Sequence, residues 1–456
     1  MGLGLLLLIA LGTLIFWLYR LNKEYYVLAF FAKRVKTKDG RPVEYIAPIA
    51  DGRTIFGNSF DLIGRNEAEV FSDMRNRTKK MCRSYIEYAM GTSIFCIIDA
   101  DNLEAVLNDQ NLITKGMVYE FLQPALHTGL LTSTETAMGI KLDDMAAKGD
   151  RYRQSFSMIE KIFIRRFSNP IYWSDTLYEL FGSMEDKRFL RDVHEFSSEI
   201  IAKRRILLAQ EIKERGSSQE ADDDIYINKK QRFAMLDTLI FAEKDGLIDH
   251  AGICEEVDTL MFEGFDTTSI GLIFGLMNMS LYQDKQELCY QEISEHIADD
   301  FSNLDLNQVS KLKYLECFVK ETMRLFPSVP IMSRKTLKET ELANGLILPP
   351  GAQIVMHIFD VHRNPKYWSS PEEFQPERFF PENSRDRHTY AYVPFSAGQR
   401  NCIGQKFALL EMKTLLIVIL KKFIVLPLVD PKDIVFHTGI TLRCKNDIRV
   451  KLVRRS

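Results

Sequence analysis

Residues 2–19, GLGLLLLIALGTLIFWLY, carry no charge. A run of that length is just enough to cross the hydrocarbon core of a bilayer as one helix. A cleavable signal peptide is the competing reading, but it wants positive charge before the apolar run and a small-residue cleavage site after it. Here the charges follow, as Arg20, Lys23, Lys33, Arg34, Lys36 and Lys38. The positive-inside rule then puts everything beyond Arg20 on the cytoplasmic side. The expectation is an uncleaved signal-anchor over 1–19 and one cytosolic domain over 20–456. The cysteines agree with that compartment. Seven are scattered (Cys82, Cys96, Cys254, Cys289, Cys317, Cys402, Cys444) without a CxxC pair, so neither a disulfide framework nor a zinc knuckle is indicated. They read as reduced thiols, most of them small core residues.

The rest of the chain has ample material for a large core, at 46% hydrophobic residues. Lys+Arg 59 against Asp+Glu 62 gives a net charge of −3, with no basic excess to hold nucleic acid. Helical patterns dominate from about Asn102 to Leu325. They are interrupted by the polar stretch 214–232, which reads as an exposed loop between two helices. After Pro327 the pieces shorten, and LANGLILPPGAQIVMHI reads as β-hairpins. A last helix is expected at about Gly404–Leu420. The fold class expected is mainly α with a small β part. No GxxxxGK[ST] phosphate loop or HExxH zinc helix is present.

The segment richest in chemistry is FSAGQRNCIG, residues 395–404. A lone cysteine before a helix is most often packing, but this one has unusual surroundings. Gly398 and Gly404 permit a tight turn, and the following helix N-terminus offers free amides that favour a thiolate at Cys402. Arg400 can reach an anionic group beside a metal. A thiolate held in that way is the axial ligand that pushes electron density into haem iron.

FSAGQRNCIG resembles the cysteine-loop signature Phe-x-x-Gly-x-Arg-x-Cys-x-Gly of the cytochrome P-450 monooxygenases at every fixed position. The resemblance implies the P-450 fold behind an N-terminal membrane anchor helix, with haem b (iron protoporphyrin IX) ligated by Cys402 in a loop that includes Phe395 and Gly398. Glu321 and Arg324 in KLKYLECFVKETMRLFP then stand for the family's Glu-x-x-Arg pair, with Arg378 of Pro376-Glu-Arg-Phe379 completing a structural triad. Arg334 in Pro330-x-x-x-Arg, like Arg400, is implied to hold a haem propionate. VDTLMFEGFDTTS closely resembles animal family-four members, insect-like ones included, many of which hydroxylate fatty-acid chain ends. There Asp266 and Thr267 are the implied acid–alcohol pair that supplies protons, and their hydroxyl neighbours could open a kink in the helix. Glu263 is a candidate for an ester link to a haem methyl, and Phe265, which replaces the usual His, is implied with Met117–Leu122 to line the pocket. The resemblance further implies a hydrophobic substrate (a fatty acid or related lipid, hormone or xenobiotic), NADPH electrons through NADPH-cytochrome P-450 reductase, cytochrome b5 as a further partner, and the microsomal endoplasmic reticulum membrane. A haem-thiolate isomerase or dehydratase that needs no O2 is disfavoured by the intact Asp266–Thr267 pair.

One element of the family is missing. Its members carry Trp-x-x-x-Arg on an early helix, whereas the residues four places after Trp17, Trp173 and Trp368 are Leu21, Leu177 and Glu372. KGMVYEFLQPALHTGLLTST (115–134) normally precedes that helix and ETAMGIKLDD (135–144) follows it by several tens of residues. Here they join directly, so an internal deletion is expected at Thr134–Glu135. His127 also stands where Gly is usual, and the proline-rich hinge shrinks to APIADG (47–52). Losing one charge-assisted propionate contact costs about 1.5–3 kcal/mol. The alternative expectation is therefore a catalytically impaired or haem-poor isoform.

Overall fold

The structure is a computed structural model that describes residues 11–14, 35–50, 58, 65–89, 92–122, 158–167, 169–173, 175–181, 184–216, 235–301, 304–342 and 344–455. Most of the expected anchor, His127 and the Thr134–Glu135 junction lie outside the described residues. Those described fall into two compact units, one drawn from Met1–Val118, Phe167–Trp173 and Thr267–Ser456, the other from Tyr119–Arg166 and Ser174–Asp266. Helices predominate and the sheets are small, as the hydrophobic periodicity indicates.

In the first unit a four-stranded sheet runs in the order Tyr85–Ala89, Thr92–Ile97, Gln353–His357, Ile331–Lys335. Thr92–Ile97 pairs with Gln353–His357 in parallel, Ile94 opposite Gln353, while its other neighbour is the hairpin partner Tyr85–Ala89. The sequence expectation for LANGLILPPGAQIVMHI holds only in part. Thr340–Glu341 and Leu346–Leu348 do form an antiparallel pair turning on Gly345. Gln353–His357, however, leaves that hairpin and enters the larger sheet, antiparallel to Ile331–Lys335. The reason is burial: Ile354 and Met356 on one face and Gln353 and His357 on the other are all buried, so the strand needs cover on both faces. Ile86, Phe95, Ile97, Leu103 and Leu346 pack with it in one core cluster.

A second cluster in the same unit joins helices. Lys313–Leu325 ends at Phe326, immediately before Pro327, where a proline would break the ladder. Its Leu315 and Phe318 meet Leu416, Ile417 and Leu420 of helix Gln405–Lys422, and Cys289 and Ile293 of helix Gln283–His296. Each such side chain contributes about 1.5–3 kcal/mol when withdrawn from water.

The second unit is tied by polar bridges. Arg204 of helix Met184–Gly216 reaches Asp237 at 2.6 Å and Glu211 at 2.9 Å. His194 bonds the fully buried Asp258 at 2.6 Å, and the Ser197 hydroxyl donates to the same carboxylate. The expected loop 214–232 begins later than the sequence indicates, since residues 214–216 are still helical. Residues 217–234 lie outside the description. His250–Leu281 is one continuous α-helix, with Asp266–Ser269 inside it. Among the described residues it is the one helix long and apolar enough to cross a membrane, with 44% of its most apolar window buried inside the protein.

Candidate active site around the Cys402 loop

Gly398 sets the shape of the loop. Its φ of 72° lies where side chains are disfavoured, and an added Cβ would stand 2.0 Å from the Leu107 carbonyl oxygen. The loop therefore presses directly on the backbone of helix Ala100–Asn108. Ser396 also takes a positive φ, of 63°. The Cys402 amide donates to the Phe395 carbonyl at 2.8 Å, closing the loop on itself. Arg400 ends a short 3-10 turn, and helix Gln405–Lys422 begins just beyond Cys402 with Gly404 at its N-cap. The Cys402 side chain is exposed. Among the seven cysteines three are buried (Cys96, Cys289, Cys317), fewer than the sequence expectation of mostly core residues.

Glu321, Arg324 and Arg378 come together as the sequence expectation has it. Arg324 Nε lies 2.6 Å from Glu321, and Arg378 Nε lies 3.4 Å from the same carboxylate. Glu321 and Arg324 are fully buried. Arg324 also donates to the carbonyls of His362, Pro371 and Glu373, and the Gln375 amide donates back to Glu321. Three stretches of chain (321–324, 362 and 371–378) are tied at one point, and removing one charged member of such a cluster costs about 3–5 kcal/mol. Burial lowers the pKa of Arg378, against the opposing pull of Glu321.

His362 is a brace that the sequence reading did not single out. Its Nε2 accepts from the Val393 amide at 2.9 Å, and Nδ1 lies 3.3 Å from the Arg324 carbonyl. With Nε2 accepting and Nδ1 donating, the ring is neutral. Burial, with Arg324 and Arg363 nearby, pushes its pKa down to about 3. This links the Glu-x-x-Arg helix to the segment leading into the Cys402 loop. The motif HRNPKYW contains it, but nothing local marks His362 as a spacer.

On helix His250–Leu281, Glu263, Asp266 and Thr267 are spaced to share a face. Asp266 is buried, Glu263 and Thr267 are half-buried, and Phe265 is 48% exposed. The Ser328 hydroxyl donates to the Thr267 carbonyl at 2.8 Å. One turn on, a Cβ at Gly271 would stand 2.7 Å from Met412 Sδ. The Thr267 turn thus lies directly against the helix that follows Cys402. Ser328 carries no sequence signal for this contact, because its partner is remote in the chain.

Arg334 is 2% exposed on strand Ile331–Lys335 and donates from Nη1 to the Ser333 carbonyl. An exposed thiol on a backbone-braced loop, with arginines on the loop and on a strand of the same unit, is a donor set that suits an iron porphyrin. The soft thiolate matches the iron and the guanidinium groups match anionic propionates. Trp173 donates from its indole to the Phe167 carbonyl, and Trp368 is buried with Arg324 over its ring. Both are occupied within the protein framework.

Comparison with known proteins agrees with this chemistry. The family described as Cytochrome P450 matches residues 127–450. Cytochrome P450 4p1 of Drosophila melanogaster is 60% identical over 511 aligned positions, covering 99% of each chain. Probable cytochrome P450 4p3 of the same organism is 58% identical, covering 97% of this chain and 98% of its own. Cytochrome P450 4V2 of Rattus norvegicus is 33% identical over 79% of this chain and 80% of its own. The 511 positions of the first alignment exceed the 456 residues of this chain, so at least 55 positions of that relative have no residue opposite them. Identity at this level over nearly the whole length leaves one conclusion: the chain belongs to the cytochrome P450 family, as a family-four P450 monooxygenase, an oxidoreductase type that carries haem.

Proposed function

We propose that this chain is a membrane-anchored monooxygenase that inserts one atom of O2 into a fatty acid or related lipid near its chain end. Hormones and xenobiotics form the wider substrate class. Two electrons come from NADPH through NADPH–cytochrome P450 reductase, with cytochrome b5 as a further donor. Residues 1–19 hold the protein in the endoplasmic reticulum membrane and 20–456 form the cytosolic haem domain. Haem b, when bound, supplies the oxygen-activating iron chemistry. Cys402 is its thiolate ligand, and Arg400 and Arg334 neutralise the propionates. Phe395 and Gly398 keep the loop in register. Asp266 and Thr267 hold and pass protons at the carboxyl and hydroxyl oxygens. Glu263 would supply the carboxylate that holds a haem methyl as an ester.

The observation that carries this reading is the Cys402 loop, with its exposed thiol and the Phe395–Cys402 bond. Its test is the carbon monoxide difference spectrum of the reduced, membrane-expressed full chain. A strongly red-shifted Soret band is expected. No such band from a chain present in quantity sinks the catalytic reading and favours a haem-poor isoform. That second reading is supported by the 55 or more relative positions without a counterpart here. On that reading the loss falls at Thr134–Glu135.

A further inference from the structure

Residues 114–116 run along the free edge of strand Ile331–Lys335. The Lys335 amide donates to the Thr114 carbonyl at 2.9 Å, Lys115 bridges Arg334, and the Gly116 amide donates to the Ser333 carbonyl at 3.4 Å. The contact is close. A Cβ at Gly116 would stand 2.5 Å from Ser333 Oγ and 2.8 Å from Gln353 Oε1. Ser333 is fully buried and Gln353 is 3% exposed. The chain then enters the short helix Met117–Glu120, whose first amides have no acceptor within the helix. Gln353 Oε1 supplies one, accepting from the Met117 amide at 2.8 Å. Its carboxamide nitrogen faces the Gly351 carbonyl at 3.5 Å, so the side chain is aimed from both ends.

We infer that Gln353 is a positioning residue for substrate: by capping Met117 and pinning Gly116 against Ser333, it fixes the pocket-lining segment that begins at Met117. The inference rests on the proposed reading of 117–122 as pocket wall. Gln353 itself touches no substrate. Without its oxygen the Met117 amide loses a buried acceptor, the segment loosens from the strand that carries Arg334, and hydrophobic ligands lose a fixed surface to pack on.

The test uses the full chain in three forms: wild type, Gln353→Leu, and Gln353→Glu, which keeps an acceptor oxygen. Trypsin cleavage after Lys115, followed by mass spectrometry, reads the clamp, with cleavage after the exposed Lys445 as control for general unfolding. Gln353→Leu is expected to raise the Lys115 rate about fivefold or more at a constant Lys445 rate, as loss of about one part-buried hydrogen bond implies. Gln353→Glu is expected to restore most of it. Equilibrium dialysis with labelled dodecanoate, which needs no haem signal, is expected to give a dissociation constant raised about fivefold in Gln353→Leu and largely recovered in Gln353→Glu. An unchanged Lys115 rate overturns the clamp. A faster Lys115 rate with unchanged dodecanoate affinity overturns its role toward substrate. A wild-type chain that binds no dodecanoate removes the lipid reading and the substrate role with it, and the Lys115 rates still decide the clamp. If Gln353→Leu unfolds, Gly116→Ala presses on the same contact from the loop side. Wild-type cleavage and affinity in that variant overturn the proposal by themselves.

Discussion

A methyl group added at Gly398 would stand 2.0 Å from the Leu107 carbonyl oxygen, on a residue whose φ of 72° already disfavours side chains. Gly398→Ala adds about 1–2 kcal/mol for the left-handed conformation alone, before the clash with backbone is counted. Because backbone cannot rotate away as a side chain can, the loop itself must shift. The expected outcome is a large loss of the carbon monoxide band per unit of protein with helical circular dichroism retained; an undiminished band contradicts it. Glu263 gives a separate residue-level prediction. Haem is expected to resist acidified organic extraction from the unmutated chain and to be extracted from Glu263→Ala, and ready extraction from the unmutated holoprotein rejects the ester. Cys402, Glu321 and Arg324 could be singled out as candidates from sequence because recognisable neighbours stand beside them. Ser328, His362 and Gln353 could not, since each acts on a group far along the chain; Gln353 and Met117 are separated by 236 residues.

Elements divide the same way. The helices at Lys313–Leu325 and Gln405–Lys422 follow from local period, proline and glycine signals. Strand Gln353–His357 was legible as a strand, but not its partners, because pairing is decided by burial and topology rather than by adjacent residues. The junction of the Glu-x-x-Arg helix with the loop ahead of Cys402 carries a pH prediction. His362 is neutral in the fold with its pKa lowered to about 3, by burial first and then by Arg324 and Arg363. The unfolded chain binds that proton below its ordinary value of about 6.5. Stability from this residue is therefore present above about 6.5 and is lost as pH falls toward 3. His357, also buried with a strongly lowered pKa, adds in the same direction. Urea midpoints measured across this range are expected to fall with acidity, and His362→Gln is expected to flatten the slope. An equal slope in both proteins removes His362 as the cause.

At the scale of the whole molecule, the length difference from its relatives is the feature with the largest expected effect. Exposing the apolar faces that a lost internal segment covers costs roughly 25 cal/mol per Å², against a total margin of about 5–15 kcal/mol. If the loss falls at the proposed junction, a chimaera that inserts the corresponding residues of the 60% identical relative between Thr134 and Glu135 is expected to raise thermal stability and the carbon monoxide band together. If neither rises, the junction is not the site of the loss. The four-stranded sheet has a consequence of another kind, in time. Ile94 pairs with Gln353 and Ile97 with Met356, so a strand made early must wait for one near the end of translation. At typical elongation rates that interval is on the order of tens of seconds. Throughout it, the hairpin Tyr85–Ile97 has an unmet edge that is open to other chains. A cell making this protein must keep that edge single until its late partner leaves the ribosome.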